Sequence, residues 1–382
     1  MKILHLSDTP LPDWRVEKSA SSSRKRGDLV YFCGPNSLIS NSNSHSNFEK
    51  QYGITWTSHA RNKLPYYWGL VKKQMTKIIK EVQPDIIHAH NIFSAKMATE
   101  IGDYPLVYDD HEYWSMYAKI KIEAYSFYIK SVKAGSLSTK SLARKLVVNF
   151  LNSKFARSWS KAENDLIMNH PTITVSNTIL NEFKKIGKRI FLVPNFPAFK
   201  EIENIREPIY HDKLSSVYAG IQLTNPIKSL HMDLDGFFNI FEKFNVGKLN
   251  VLGWNKRSTN RVIYHGYLSR SQMYDEMHRN SIGLIPFKKH WFHPYSNPNK
   301  AYEYAHSGLY VSLTSDLASV AENLKEHCIL FDDFDELINK LENLSNNMDD
   351  LYSKRVKSYQ YARSHLLWEN FEKNIFESYK VC

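Results

Sequence analysis

No stretch of this sequence approaches the roughly 18 uninterrupted apolar residues that a membrane-spanning helix needs. The opening run MKILHLSDTP leads into a strand-like pattern rather than a signal peptide. Cysteine is scarce: Cys33, Cys328 and Cys382 are the only three, and they show no C-x-x-C spacing. Neither a disulfide framework nor a zinc site is indicated, and the thiols are expected to be reduced. These absences lead to the expectation of a cytoplasmic protein.

What is present suits two folded halves. A chain of 382 residues is too long for one ordinary core and comfortable as two domains of roughly 150 to 200 residues. Apolar residues make up 42% and charged residues 23%, ordinary values for soluble domains that argue against global disorder. The formal charge of +11 and the isoelectric point near 9.2 favour an anionic partner: a nucleotide, an acidic glycan, a phospholipid surface or nucleic acid. Charge by itself does not choose among them.

Short β-branched or aromatic runs alternate with helix-like stretches, the pattern of parallel sheets flanked by helices. Strands are expected at Lys2 to Ser7, Asp28 to Cys33, Gly53 to Thr57, Asp85 to Ala89, Leu106 to Asp109, Thr172 to Ser176 and Arg189 to Val193. After the proline-interrupted Val193-Pro-Asn-Phe-Pro197 the alternation restarts, with strands at Ser215 to Ala219, Lys248 to Gly253, Val262 to His265, Ile282 to Pro286, Leu309 to Leu313 and Cys328 to Phe331. The organisation that follows is an α/β chain with one domain over 1–195, a second over 196–360, and a terminal helix over 361–382 that packs back on the body.

The first domain carries a basic helical insertion at about 118–161. It contains ten Lys or Arg against the single acid Glu123. Amphipathic helices of this kind can lie on anionic lipid, each nearby basic residue contributing about 1 kcal/mol. Lys130, Lys133, Lys140, Arg144 and Lys145 are the candidates for such a membrane or acidic-partner surface, and a solvated helical face is the plain alternative.

The sharpest segment is Tyr295-Ser-Asn-Pro-Asn-Lys-Ala-Tyr-Glu-Tyr-Ala-His-Ser-Gly308, followed at once by a strand. Asn297 and Pro298 suit an N-cap and first helical position, so Lys300 and Glu303 should lie one turn apart on one face. A lysine there can meet a diphosphate as a point charge, and a carboxylate can accept hydrogen bonds from both ribose hydroxyls.

The run N-P-x-K-x-x-E-Y-x-x-x-G before a strand resembles the donor-site helix of family-4-type GT-B glycosyltransferases. Segments resembling others of that family occur in the same order along the chain: Ser215-Ser-Val-Tyr-Ala-Gly220 with Lys228, His265-Gly-Tyr267-Leu-Ser, Pro84-Asp-Ile-Ile-His-Ala-His90 and Val107-Tyr-Asp-Asp-His-Glu112. The resemblance implies two Rossmann-like domains facing across a cleft, and sugar transfer from a nucleotide-sugar such as a UDP- or GDP-sugar to a hydroxyl acceptor. It implies retention of configuration. Donor contacts fall on Gly220, Lys228, Tyr267, Asn297, Lys300 and Glu303, with His111 beside the transferred sugar and Asp109 or Asp110 orienting it or meeting the acceptor. No cofactor and no metal are expected, Lys300 and Lys228 supplying the positive charge that a metal ion would otherwise bring. His88 and His90 share a strand face and could begin a metal site, but the sequence offers no convincing third ligand.

Two departures bear on activity. Many members of the family carry a glutamate eight residues before the one matching Glu303, and here that position is Tyr295; the arginine expected after Gly220 is replaced by Ile221 and Gln222. A sugar-nucleotide epimerase, and a non-catalytic sugar-nucleotide-binding or scaffold subunit of a glycan assembly complex, therefore stand beside the transferase reading. No nucleic-acid module is visible. The expected partners are a nucleotide-sugar, a glycan, lipid-linked or polysaccharide acceptor, and the inner face of a membrane as a peripheral surface.

Overall fold

The computed structural model describes residues 1–36, 47–57, 65–131, 139–222 and 230–382, without the side chains of 65, 121, 125–131 and 139–152. The chain divides into two compact units, one comprising Met1–Ile122, Lys133–Pro194 and Phe371–Cys382, the other Glu123–Val132 and Asn195–Asn370.

The first unit is built on seven parallel strands: β1 (Lys2–Ser7), β2 (Leu29–Pro35), β3 (Lys50–Ile54), β4 (Ile86–His90), β5 (Leu106–Asp110), β6 (Thr172–Thr174) and β7 (Ile190–Leu192), in the order β3-β2-β1-β4-β5-β6-β7. Strands covered on both faces read as continuous apolar runs, and β4 and β5 are buried along their whole length. Their polar residues, His88, His90, Asp109 and Asp110, gather towards the carboxyl ends. The helix Trp14–Lys25 begins where the Asp13 carboxylate accepts the amides of Arg15 and Val16, satisfying donors that the first turn leaves open. It ends before Gly27, whose φ of +92° suits only glycine comfortably. The last helix, Glu372–Lys380, packs against β6, β7 and the helix Trp14–Lys25.

The second unit repeats the plan with six parallel strands: β8 (Ser215–Ala219), β9 (Lys248–Leu252), β10 (Val262–Tyr264), β11 (Ile282–Ile285), β12 (Tyr310–Thr314) and β13 (Cys328–Phe331), in the order β10-β9-β8-β11-β12-β13. Each expected strand has a counterpart. β3 differs most, lying at Lys50–Ile54 rather than Gly53 to Thr57. As a sheet edge it tolerates Lys50 and Gln51, which pair with Tyr31 and Phe32 although they carry no apolar signal.

Arg355, on the helix Met348–His365, is 1% exposed. It meets no carboxylate in its hydrogen bonds. Its guanidinium donates to the carbonyls of Gly308 (2.8 Å), Ile209 (2.8 Å) and Asn280 (3.0 Å), tying the starts of β11 and β12 to the helix above them. Burial of the cation pushes its pKa down to about 10. Arg355→Met leaves the two buried carbonyls of Gly308 and Asn280, and the part-buried one of Ile209, without that donor and should cost unit 2 roughly 3 kcal/mol or more in urea unfolding. Arg355→Lys should rescue it only partly, because one ammonium cannot reproduce the fork; wild-type stability in both variants would contradict this account.

Candidate functional sites

In open α/β sheets ligands bind beyond the carboxyl ends of the strands where the strand order reverses. In the second unit that point lies between β8 and β11. The helix Lys300–His306 is held there by Tyr304. A Cβ on Gly283 of β11 would come within 2.4 Å of the Tyr304 ring, so only glycine lets the ring lie this close. The Tyr304 hydroxyl then accepts the Ala219 amide at 2.7 Å, at the end of β8. This anchorage brings Lys300 Nζ to 4.5 Å from the centre of the Tyr218 ring and 5.5 Å from that of Phe287, one on each side of the reversal. A Cβ on Gly220 would stand 3.0 Å from Lys300 Nζ and 2.8 Å from the Tyr218 hydroxyl. Burial of the ammonium pulls the Lys300 pKa down to about 8, with Glu303 opposing the shift.

Glu303 does not stand alone. Arg270 Nη1 lies 3.1 Å from Glu303 Oε1, while Nη2 of the same guanidinium pairs with Glu201 and donates to the Tyr274 hydroxyl at 3.0 Å. Arg270 opens the helix Arg270–His278, which Ser269 and Gln272 cap reciprocally. Burial would lower the Arg270 pKa, but Glu303, Tyr274 and Glu201 outweigh it and raise it. Lys300 and Glu303 are thus one turn apart, as the spacing predicts. The helix starts after Asn299, however, not at the expected Asn297 cap. Asn297 is buried and its Oδ1 accepts the Tyr302 hydroxyl. Tyr267 is 75% exposed beside Gly266, whose φ is +68°. Lys228 lies outside the described residues, as does Lys133; Lys130, Lys140, Arg144 and Lys145 lie on helical backbone whose side chains are not described.

In the first unit the reversal falls between β1 and β4, and a polar cluster occupies the sheet beside it. Arg15 Nε is 3.1 Å from each oxygen of Asp109, Nη2 is 2.7 Å from Oδ1, and Nη1 donates to the Val193 carbonyl at 2.9 Å. Burial alone would raise the Asp109 pKa, but the Arg15 cation beside it and the hydrogen bond from His88 hold it well below the usual carboxylate range. His88 Nε2 is 3.2 Å from Asp109 Oδ2, and its Nδ1 is 2.7 Å from the Tyr379 hydroxyl. His5 Nδ1 lies 2.9 Å from His90 Nε2, and His90 Nδ1 lies 3.1 Å from His111 Nε2. His5, His88 and His90 are wholly buried. Burial lowers their pKa values, that of His90 to about 3, so the three imidazoles are neutral. His111, just beyond β5, has a side chain 15% exposed and is the outward tip of the cluster.

Two sets of ligand atoms here are close enough for a metal ion: His5 with His88 and His90, and His90 with Asp109 and His111. In the first set the nitrogens are already engaged, His5 Nδ1 with His90 Nε2 and the two of His88 with Tyr379 and Asp109. In the second set the carboxylate already carries the Arg15 cation. Neither set favours a further positive charge.

No family model matches the chain, and no curated protein matches it in sequence. Solved structures do resemble it. Sucrose-phosphate synthase from Thermosynechococcus elongatus superposes with a TM-score of 0.73 at 11% identity, covering 100% of this chain and 99% of that one. A glycosyltransferase from Rickettsia africae gives 0.65 at 11% identity, covering 100% and 98%. Anabaena HepE, solved in complex with UDP, gives 0.64 at 12% identity with 100% of both chains covered. The chain has the GT-B fold.

Within each GT-B unit, sequence reading reached the residues at the strand ends and missed the partners that come from elsewhere. Arg270 gave no signal beyond following a helix cap. Arg15 and Tyr379 are 94 and 291 residues from the side chains they meet, Asp109 and His88. His5 sits inside an apolar strand, where one imidazole attracts no attention.

Asp110 points away from this cluster. It is fully buried, its Oδ1 accepts the Tyr108 hydroxyl at 2.7 Å, and burial together with Glu163 raises its pKa well above the carboxylate range. Burial lifts Glu163 to about 7, although its carboxylate accepts the Ser115 amide at 3.0 Å. An acid whose folded pKa is raised contributes stability below its unfolded pKa and loses it as pH rises through the folded one. Glu163→Gln keeps the acceptor and removes the ionisation. At pH 8 it should be more stable than wild type by the order of 1 to 3 kcal/mol, with the gap closing between about pH 7 and 4.5 in urea titrations. A gap independent of pH would contradict this assignment.

Proposed function

We propose that the chain is a glycosyltransferase that takes a sugar from a nucleotide-sugar held by the second unit and passes it to a hydroxyl acceptor. The observation that carries this reading is the placement of Lys300, with Glu303 one turn away, at the strand reversal of that sheet. Lys300 serves the diphosphate as a point charge, and Gly220 keeps the space beside its ammonium clear. Glu303 Oε1 is engaged by Arg270, which leaves the other carboxylate oxygen for the ribose hydroxyls. Tyr267 serves the base from its exposed turn.

As the acceptor oxygen attacks the anomeric carbon, the bond to the diphosphate breaks and negative charge grows on the leaving oxygen. A fixed cation in a site of low polarity stabilises that charge, an effect often worth several kcal/mol. The same cation supports a metal-independent reaction. Retention of configuration and membership of the family-4 type rest on the sequence resemblance. His111 of the first unit we assign to the transferred sugar, and Asp109, 3.7 Å from His111 Nε2, in preference to Asp110, which meets Tyr108, as the group that orients it. UDP is the first base to try, since HepE was solved with UDP and with UDP-glucose. The basic stretch bearing Lys130, Lys133, Lys140, Arg144 and Lys145 suits a lipid-linked acceptor at an anionic surface.

Lys300→Ala and Glu303→Ala should each weaken binding of the responding nucleotide-sugar about tenfold or more, roughly 1.4 kcal/mol, with unfolding midpoints close to wild type. Calorimetry after a thermal-shift screen of UDP-, GDP-, ADP-, CMP- and dTDP-sugars checks this. Wild-type affinity in both variants would remove the site assignment. Binding without turnover would favour a sugar-nucleotide-binding subunit, the reading that Tyr295 in place of an acid supports, and conversion of the donor without an acceptor would favour an epimerase.

A further inference from the structure

The contacts around Asp109 favour one placement of the ring protons in its cluster. Asp109 is held ionised by three contacts from Arg15 and can only accept. His88 Nε2, at 3.2 Å from Oδ2, must therefore carry a hydrogen. Its Nδ1 is then a bare lone pair that accepts the Tyr379 O–H at 2.7 Å.

His90 has two arrangements open to it. If its proton is on Nε2, that atom donates to His5 Nδ1, and His5 must carry its own proton on Nε2, a buried atom with no partner among the described residues. The bare His90 Nδ1 would also face Asp109 Oδ2 at 3.4 Å, lone pair against carboxylate. If the proton is on Nδ1, it points between Asp109 and His111 Nε2, and His90 Nε2 accepts from His5 Nδ1. The orphan on His5 is then an acceptor. Buried orphan donors are rarer than under-used acceptors, and the bare lone pair facing Asp109 Oδ2 is moved from His90 Nδ1 at 3.4 Å to His111 Nε2 at 3.7 Å, where the repulsion is weaker. Both differences favour the Nδ1 proton.

We infer that the buried Arg15–Asp109 pair, acting through His90 and His5, fixes neutral His111 with its proton on Nδ1, so that His111 presents a hydrogen-bond donor to its ligand and not a base. His111 Nε2 is occupied as the acceptor from His90 at 3.1 Å, and His111 Nδ1 makes no hydrogen bond among the described residues. Arg15, Asp109, His90 and His5 are positioning residues in this scheme. The ring-proton assignment stands on geometry alone. What the donor touches, an oxygen of the transferred sugar, rests on the function proposed above. On that reading His111 binds the sugar and does not remove the acceptor's proton.

Long-range proton–nitrogen correlation on the full chain with ¹⁵N-labelled histidine, in alkaline buffer, reads the tautomer directly. The His111 signal is the one lost in His111→Gln. The expected result is a proton on Nδ1; a proton on Nε2, or an even mixture, would overturn the inference whether or not any nucleotide-sugar binds. In folded Asp109→Asn the signal should move towards the Nε2 form, and an unchanged signal would remove Asp109 from the positioning role. Should that variant not fold, the wild-type tautomer decides alone. An asparagine amide stands near the Nδ1 position and a glutamine amide near Nε2. With UDP-glucose as probe, His111→Asn should therefore retain more affinity than His111→Gln, by about tenfold for one donated hydrogen bond. Equal losses with an Nδ1 tautomer would leave the proton placement standing and sink the sugar contact; no binding by wild type would count against the donor reading.

Discussion

Asp109 is an anion on an interior strand of a parallel sheet, 1% exposed, and the arrangement around it follows from the need to neutralise it there. Arg15 supplies the charge and most of the hydrogen bonds. Removing one member of such a pair typically costs about 3 to 5 kcal/mol, because the other charge is left buried. Arg15 can reach Asp109 because Asp13 caps its helix and sets the first turn, and because the Val193 carbonyl accepts from Nη1 on the side away from the carboxylate. With the carboxylate fixed as an acceptor, each neighbouring imidazole has its donor and acceptor sides assigned. His5, His88 and His90 remain uncharged because burial disfavours their charged forms, and their role is directional.

The second unit meets the same topological situation with a different balance. Its reversal point carries an ammonium between two aromatic rings and a carboxylate shared with a guanidinium. The side chains of Arg270 and Glu303 are 24% and 12% exposed, so this pair is screened more than the buried one and adds less to stability. Such a site can exchange one of its contacts for a ligand oxygen without stranding a charge in the core. On the readings proposed above, one unit holds a proton arrangement and the other accepts anionic charge.

Much of this was legible in the sequence because parallel strands announce themselves. Val30, Ile87 and Val107 lie in apolar runs bounded by turn residues, and the polar residues that close those runs, His90, Asp109 and His111, are the ones that reach the site. Lys300 and Glu303 were legible through their spacing. The cap at Asn297 was misread because an Asn-Pro pair carries the N-cap signal, whereas here the Asn297 side chain bonds Tyr302 and the helix starts after Asn299. Asp110 looked equivalent to Asp109 in sequence. Alternation along β5 separates them, one facing Arg15 and the other Tyr108. Arg15, His5, Tyr379 and Arg270 were beyond sequence reading, since their partners depend on which strands and helices become neighbours.

The surplus of positive charge does not by itself explain an anion site. Exposed charges separated by more than about 8 Å are largely screened at physiological salt. What distinguishes Lys300 is its surroundings. Tyr218 and Phe287 withdraw water from the ammonium, and the cost is visible in a pKa pulled down to about 8. A diphosphate placed against it would return the stabilisation that the lost water took away, and would do so in a medium where charges attract more strongly than in bulk solvent. On the function proposed above, an anion bound beside Lys300 would draw its pKa back up from about 8 and keep it protonated through alkaline pH.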